Sequence, residues 1–293
     1  MGVLGDTLPD PVRLALRRTQ GVVSTRGAKR AFVTAGPEPR WLSPDRLEEL
    51  ADRYVAPASY DYTDTAKWKR GHQRAARLSA LLPGSGATLE VGAGDGMVSY
   101  HLAQSGCTPT GLDLSSHLFD PRARAAGVRM VEGDAAAMPL DSGAFDLVFS
   151  YNSFEHFADP AAVLSELVRV TRPGGLIHVD FGPLYLSPYG LHGYRSVPVP
   201  YCHLLFERQV LDDFAVQRGA RPIPWETLNE WRLVDFRRLW AEAPLDVVSY
   251  GEFPQFAGLE LVRRYPSCFR AETDNFDDLT AATVRATFRR QLV

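Results

Sequence analysis

The stretch Leu89-Glu90-Val91-Gly92-Ala93-Gly94-Asp95-Gly96 and the carboxylate of Asp113 are the residues whose types and spacing most directly suggest chemistry. Three glycines at alternate positions let a backbone turn sharply out of a strand and come close to a ligand, because no Cβ intervenes. The loop then opens a helix, whose first N–H groups lack partners and carry partial positive charge, so a carboxylate or phosphate is favoured there. A carboxylate about twenty residues on, at the tip of the next strand, is suited to accept both hydroxyl protons of a ribose. Together these residues describe a nucleoside-binding loop. Dinucleotide loops space their glycines G-x-G-x-x-G, whereas here the third comes one residue early. Glu90 stands two before the first glycine, where a carboxylate would repel a pyrophosphate and suit a ligand bearing an ammonium group.

The elements that must position this loop read in order along the chain. Val128 to Asp134 reads as a third strand ending in a carboxylate, and Phe145 to Ser150 as a fourth, apolar strand running into Tyr151-Asn152-Ser153-Phe154-Glu155-His156-Phe157. Asp159-Pro160 supplies a helix cap and a first-turn proline, with Val163, Leu164, Leu167 and Val170 at helical spacing behind it. Thr171-Arg172-Pro173-Gly174-Gly175 ends that helix and leads to a fifth strand, Leu176 to Phe181. A helix over Asn229 to Ala243, a sixth strand over Leu245 to Tyr250, a helical link over 255–279 and an alternating last strand over Thr283 to Arg289 follow, the arginines of the last strand facing solvent.

This ordered set resembles the class I S-adenosylmethionine-dependent methyltransferases, whose first motif is an acidic residue followed by x-G-x-G-x-G. The F-D-x-V-x-S and R-P-G-G pieces are similar to the type 11, small-molecule branch, over residues 85–182. The resemblance implies a Rossmann-like α/β fold: a doubly wound seven-stranded sheet, mostly parallel with an antiparallel last strand between the fifth and sixth, and helices on both faces. It implies S-adenosylmethionine as cofactor, held by Glu90, Gly92, Ala93, Gly94, Gly96, Asp113, Leu114, Asp134, Ala135 and Tyr151. Asp134 takes the place of the Asp that accepts the adenine amine, and Ala135 that of the backbone N–H meeting a ring nitrogen. NAD remains the competing cofactor, set apart by the glycine spacing.

The chain divides by composition into an N-terminal arm and helix, 1–58, and a methyltransferase domain, 59–293, with a substrate-cap insertion at about 182–225. The arm is rich in proline, glycine and arginine (Arg13, Arg17, Arg18, Arg26, Lys29, Arg30), with a short helical stretch near Val12 to Leu16; a solvated arm is the simpler account of it than an RNA contact. Ser43-Pro44 starts a helix with Leu47, Leu50, Ala51 and Tyr54 on one face. Tyr60 to Leu82 holds another, broken by Pro83-Gly84; Tyr60, Tyr62 and Trp68 on it are candidates for lid contacts, although aromatic residues on such faces commonly serve packing. The aromatic, aperiodic segment 182–206 is too long for a simple connection, and loops of that kind serve as lids or binding surfaces.

Methyl transfer asks for in-line geometry and exclusion of water, and a hydroxyl acceptor also needs a base near neutral pH, which points to histidine. Of seven histidines, His156, His192 and His203 lie at the fourth strand's tip or in the insertion, while His72, His101, His117 and His178 read as structural or exposed. His156 is the first candidate base and His203 the second, with Glu155 beside them; Asn152, His192 and Tyr201 are expected to bind the acceptor. Some relatives carry E-x-x-E-H after the fourth strand and hold a divalent ion. Here Asn152 replaces the first acid, so no metal is expected, a weaker site completed by His192 or His203 being the alternative.

With 293 residues, 45% of them hydrophobic, the chain can bury one large core with a small added lobe. No run approaches the roughly 18 apolar residues of a membrane span. The first residues lack the apolar stretch of a signal peptide, and three cysteines without C-x-x-C spacing fit a reducing compartment, so a cytoplasmic setting is expected. The net charge of −3 argues against capture of nucleic acid. The expected activity is methyl transfer to a small molecule at oxygen, in specialised metabolites or sugars, with a homodimer left open. The alternatives are transfer to nitrogen or carbon, an NAD enzyme, or a non-methylating member that keeps the cofactor as a scaffold.

Overall fold

The computed structural model describes residues 25–58, 60–82 and 84–292. The helical stretch near Val12 to Leu16, the arginines 13, 17 and 18, and the helix-breaking Pro83 lie outside the described residues. The chain forms two compact units. One gathers Ala58–Tyr185, Pro224–Phe253 and Ala281–Val293; the other gathers Leu186–Ile223, Pro254–Thr280 and the N-terminal segment to Pro57.

The first unit is built on a seven-stranded sheet: β1 (Ala87–Val91), β2 (Thr108–Asp113), β3 (Arg129–Glu132), β4 (Phe145–Tyr151), β5 (Thr171–Phe181), β6 (Leu245–Pro254) and β7 (Ala281–Arg290). Their order is β3-β2-β1-β4-β5-β7-β6. The pairs among β1 to β5 are parallel, and β7 runs antiparallel to β5. This is the doubly wound, Rossmann-like sheet expected from the sequence. From β1 the chain winds out to β3 and returns to β4 on the other side, so a crevice opens at the carboxyl ends of β1 and β4.

The central strands are apolar because both faces are covered. Leu147, Phe149 and Tyr151 of β4 pack with Ala75 and Leu78 of the helix Asp64–Leu81 and with Val98 and Leu102 of the helix Met97–Gln104. Val148, on the opposite face, packs with Val163, Leu164, Leu167 and Val170 of the helix Pro160–Val170 and with Phe236 and Trp240 of the helix Leu233–Glu242. Asp159 caps its helix as its type predicts, accepting from the N–H groups of Ala161 and Ala162. Thr63 accepts from Ala66 N–H, so the leading helix starts at Asp64 rather than at Tyr60.

Several boundaries differ from the sequence reading for local reasons. β5 begins at Thr171, not Leu176: Thr171 pairs with Phe145, and a register shift around Gly174 (φ +77°) lets the Arg-Pro-Gly-Gly stretch run within the strand. The helix expected from Asn229 begins at Leu233, because Asn229 is held elsewhere, its amide donating to the carbonyls of Phe154 and Phe157. Of the arginines of β7, Arg289 is exposed as expected, whereas Arg285 and Arg290 are half-buried. Arg285 pairs with Asp180 of β5 at 2.7 Å, and Arg289 and Arg290 donate to the carbonyls of Gly174 and Thr171. A lone row of arginines would not reveal that a carboxylate and spare carbonyls lie one strand away.

The second unit is helical, with residues 25–34, Asp45–Ala51, Cys202–Leu205, Arg208–Gln217, Leu259–Arg264 and Pro266–Arg270. Phe32, Leu47, Leu50, Phe206, Leu211 and Phe269 form its buried interior. Tyr54 falls beyond the end of its helix and donates to Glu260.

Gly182, directly after β5, has φ +142°, and a Cβ there would stand 2.2 Å from the Ala282 carbonyl oxygen of β7. Strain and overpacking each cost about 1–3 kcal/mol in such places. Urea denaturation of Gly182→Ala should therefore show a loss of roughly 2 kcal/mol or more; an unchanged midpoint would mean that β7 does not close on β5 as described.

Candidate active site

The glycine loop is fixed by its own backbone before any ligand is considered. Gly92 and Ala93 both donate to the Leu112 carbonyl of β2, at 2.9 and 3.1 Å, and Gly96 N–H closes the turn onto Ala93. All three glycines have positive φ, +73°, +52° and +70°. They differ in what a side chain would meet. At Gly92 a Cβ would come within 2.2 Å of Ser153 Oγ, and at Gly96 within 2.3 Å of the Phe119 ring, whereas Gly94 faces open space. Gly94 N–H donates to Asp113 Oδ2 at 2.8 Å, which ties the β2 tip to the loop and leaves that carboxylate capacity for further donors.

Glu90 is expected at a ligand's ammonium group, but the structure turns it inward. It is 4% exposed, and Oε2 accepts from both the N–H and the hydroxyl of Ser99, at 3.1 and 2.6 Å. Burial pushes its carboxyl up to about 8, so at neutral pH it is protonated. Its place in this structure is to anchor the helix after the loop. Asp134 stands exposed beyond β3 and accepts from Ala136 N–H through Oδ1; Ala135 is buried. Leu114 is 76% exposed at the β2 tip, an apolar surface suited to a flat base. A bare loop face at Gly94, two strand-tip carboxylates and this exposed leucine fit the nucleoside part of S-adenosylmethionine.

The turn after β4 carries the remaining candidates. Tyr151 is buried with the guanidinium of Arg74 4.4 Å from its ring centroid, and its hydroxyl has no partner among the described residues. Asn152 has φ +52° and is exposed, its N–H on the Asp180 carbonyl. Ser153 donates to the Tyr151 carbonyl and backs Gly92. Glu155 is buried; Oε1 accepts from Gly182 N–H at 3.1 Å, Oε2 has no partner among the described residues, and burial pushes the carboxyl up to about 8. His156 sits at the surface with Nδ1 2.7 Å from the Thr227 carbonyl. A carbonyl only accepts, so Nδ1 carries the proton and Nε2 the lone pair. Crowding by protein lowers its pKa below the usual histidine value.

The sequence reading missed the residues that hold this turn. Asn229 ties it down through the carbonyls of Phe154 and Phe157 and through its own N–H to the Glu155 carbonyl. Arg74 was hidden among the cations of its helix, and the Asp180–Arg285 pair joins residues 105 apart. His192, Tyr201 and His203 belong to the other unit. Tyr201 is fully buried, with its hydroxyl donating to the Leu279 carbonyl at 2.8 Å; His203 is buried on the short helix Cys202–Leu205, and His192 has φ +59°. Among the described residues, no three His, Cys, Asp or Glu side chains are grouped to hold a metal ion.

Residues 89–179 match the methyltransferase domain family of type 11. An uncharacterized methyltransferase of Mycobacterium sp. (strain JLS) is 32% identical over 146 residues, 48% of this chain and 54% of that protein. A demethylmenaquinone methyltransferase of Beutenbergia cavernae is 34% identical over 184 residues, 57% of this chain and 74% of that one. A malonyl-[acyl-carrier protein] O-methyltransferase of Enterobacter lignolyticus is 30% identical over 157 residues, 50% and 62% of the two chains. The chain thus spans about half the length of the mycobacterial relative. It belongs to the class I S-adenosylmethionine-dependent methyltransferases. Among the described residues no helix is long and apolar enough to cross a membrane.

Glu155 also makes stability depend on pH. Its folded pKa, about 8, lies above the 4.5 of a free glutamate, so its contribution is fully present below about 4.5 and is lost as pH rises through 8. Melting temperatures of the wild type should fall more steeply between pH 5 and 8 than those of Glu155→Gln. Parallel curves would show that the carboxyl is already ionised in the fold.

Proposed function

We propose that the protein transfers a methyl group from S-adenosylmethionine to a small-molecule acceptor at a hydroxyl oxygen, in a specialised metabolite or a sugar. The observation that carries the cofactor half is the glycine loop bonded to Asp113, with Asp134 on the neighbouring strand tip. The cofactor supplies an electrophilic methyl carbon on a sulfonium, so the chain needs to bind, align and exclude water. Asp113 accepts the ribose hydroxyls, Asp134 the adenine amine, and Ala135 N–H a ring nitrogen. Leu114 packs the base, and Ala93 and Gly94 line its approach. Tyr151 and Asn152 border the methyl-bearing end.

Transfer to oxygen is supported by His156, whose imidazole is neutral at pH 7 and carries its lone pair on Nε2. Nε2 takes the acceptor proton. Glu155, protonated and fixed by Gly182, orients the acceptor as a donor. The Enterobacter relative is named as an O-methyltransferase and the Beutenbergia relative as one acting on demethylmenaquinone. The acceptor therefore differs among similar chains.

Calorimetry should show S-adenosylmethionine binding that weakens roughly 10- to 100-fold in Asp113→Ala, the loss of one or two hydrogen bonds to a charged group. Micromolar binding of NAD instead would overturn the cofactor assignment. A screen of metabolite extracts with labelled cofactor identifies the acceptor. On that acceptor, His156→Gln should lower kcat by about 10²–10⁴ while leaving cofactor affinity unchanged. The wild-type rate should rise with pH along an acid limb below 6.5, since His156 titrates below that value, and this limb should vanish in the variant. A persisting limb moves the base role away from His156.

A further inference from the structure

The second unit carries a cavity of its own, of about 340 Å³, between the end of the helix Asp45–Ala51 and the helix Leu259–Arg264. Leu50 and Leu261, each 2% exposed, turn into the interior of the unit and give the cavity an apolar floor. Arg53, three residues past Leu50, and Arg263 and Arg264, two and three past Leu261, are exposed and border that floor. Arginine suits such a border, because its stem covers apolar surface while the charged end stays in water. The stem of Arg263 runs beside Gly27 of the helix 25–34, where a Cβ would stand 3.6 Å from its Cδ.

Three arginines therefore line the cavity against one carboxylate, Glu260, which already accepts from the Tyr54 hydroxyl. Arg53 is paired with Glu49 at 2.6 Å. Glu49 also accepts from Arg46, so both its oxygens are taken, and Arg264 acts on it only through its field, beyond ion-pair distance. Among the described residues Arg263 and Arg264 have neither a hydrogen bond nor an ion pair, unlike Arg122, Arg169, Arg172 and Arg285, each of which is paired with a carboxylate. One carboxylate would occupy one guanidinium through two parallel N–H donors. Two adjacent unpaired guanidiniums beside a third match a larger anion: a phosphate monoester brings close to two negative charges at neutral pH and three acceptor oxygens. The apolar floor favours a ligand with a body beyond its phosphate.

We infer that this cavity binds a phosphate monoester carried on a small apolar body, with Arg263 and Arg264 donating to the phosphate, Arg53 as a supporting cation, and Leu50, Leu261 and the Tyr54 ring against the body. Every lining residue belongs to the second unit, and none comes from the glycine loop or the turn after β4, so the site stands independently of the function proposed above. Its phosphate has two sources, a soluble metabolite and a lipid headgroup.

The test uses the full chain and its Arg263→Gln, Arg264→Gln and Glu260→Gln variants, all at exposed positions, with melting temperatures recorded to confirm folding. Phenyl phosphate is titrated by calorimetry at constant ionic strength, beside inorganic phosphate and benzyl alcohol. A soluble source predicts saturable binding of phenyl phosphate, weaker binding of inorganic phosphate and none of benzyl alcohol. Each arginine variant should weaken phenyl phosphate about tenfold, the loss of hydrogen bonds between charged groups. Glu260→Gln should strengthen it severalfold, because the one carboxylate lining the cavity is gone. Affinity should fall as pH drops through about 6, where the phosphate gains its second proton. A lipid source predicts that the chain floats with phosphatidylcholine vesicles containing phosphatidic acid and not with phosphatidylcholine alone, and that both arginine variants lose the association. Absence of both kinds of binding, or binding indifferent to all three variants, overturns the site and leaves Arg263 and Arg264 as last-turn cations that offset a helix dipole. Phenyl phosphate displaced by S-adenosylhomocysteine lies on the glycine loop instead, which also overturns it. Failure of S-adenosylhomocysteine to bind at all would sink the cofactor assignment and leave the phosphate titrations to decide this site alone.

Discussion

The carboxyl edge of the sheet depends on how closely the loop after β1 lies against the turn after β4. A hydrogen atom is all that fits between the Gly92 backbone and Ser153, and the two N–H groups that follow β1 converge on one carbonyl of β2. The loop is therefore clamped from both neighbouring strands. Its middle glycine is left bare toward solvent, and the helix that follows is pinned from beneath by Glu90 through Ser99. Binding groups placed on so constrained a backbone need little reordering when a ligand arrives, which limits the entropy lost on binding.

The two buried glutamates show how one residue type takes on a different character from its surroundings. Glu90 and Glu155 lie in places that water does not reach, and each has one or two N–H or O–H donors but no paired cation. That is enough to hold a carboxyl group and too little to hold its charge. Burial favours the neutral form of both, Glu90 accepting from Ser99 and Glu155 from Gly182 N–H. Asp113, half-buried at the β2 tip, and Asp134, exposed beyond β3, each accept from a backbone N–H.

Much of the architecture around the glycine loop was legible in the sequence, because it is built from local signals: a strand running into alternating glycines, carboxylates closing the next two strands, a capped helix, a Pro-Gly-Gly turn. The turn after β4 was legible only in outline. Asn229 reaches the β4 turn from about 70 residues away, and nothing in its neighbours marks it as part of a turn rather than a helix. Arg285 reads as one of several outward arginines until β7 is laid beside β5. Glu90 was visible as an acid near a ligand loop, yet the direction of its carboxylate is set by Ser99, nine residues on and one helical turn deep. What sequence patterns miss are side-chain directions and partners brought in from distant strands.

The contact between Gly71 and Met97 is made by main-chain atoms of Gly71 and by the carbonyl group and Cβ of Met97, atoms that every residue but glycine carries. Its spacing is therefore set by bond lengths and hydrogen radii rather than by the size of any side chain. Neighbouring positions on both helices can drift through evolution without altering that distance. The fold thus keeps one helix in step with the ligand loop through a position whose only acceptable residue is the smallest, while leaving the surrounding surface free to change with the molecule it handles.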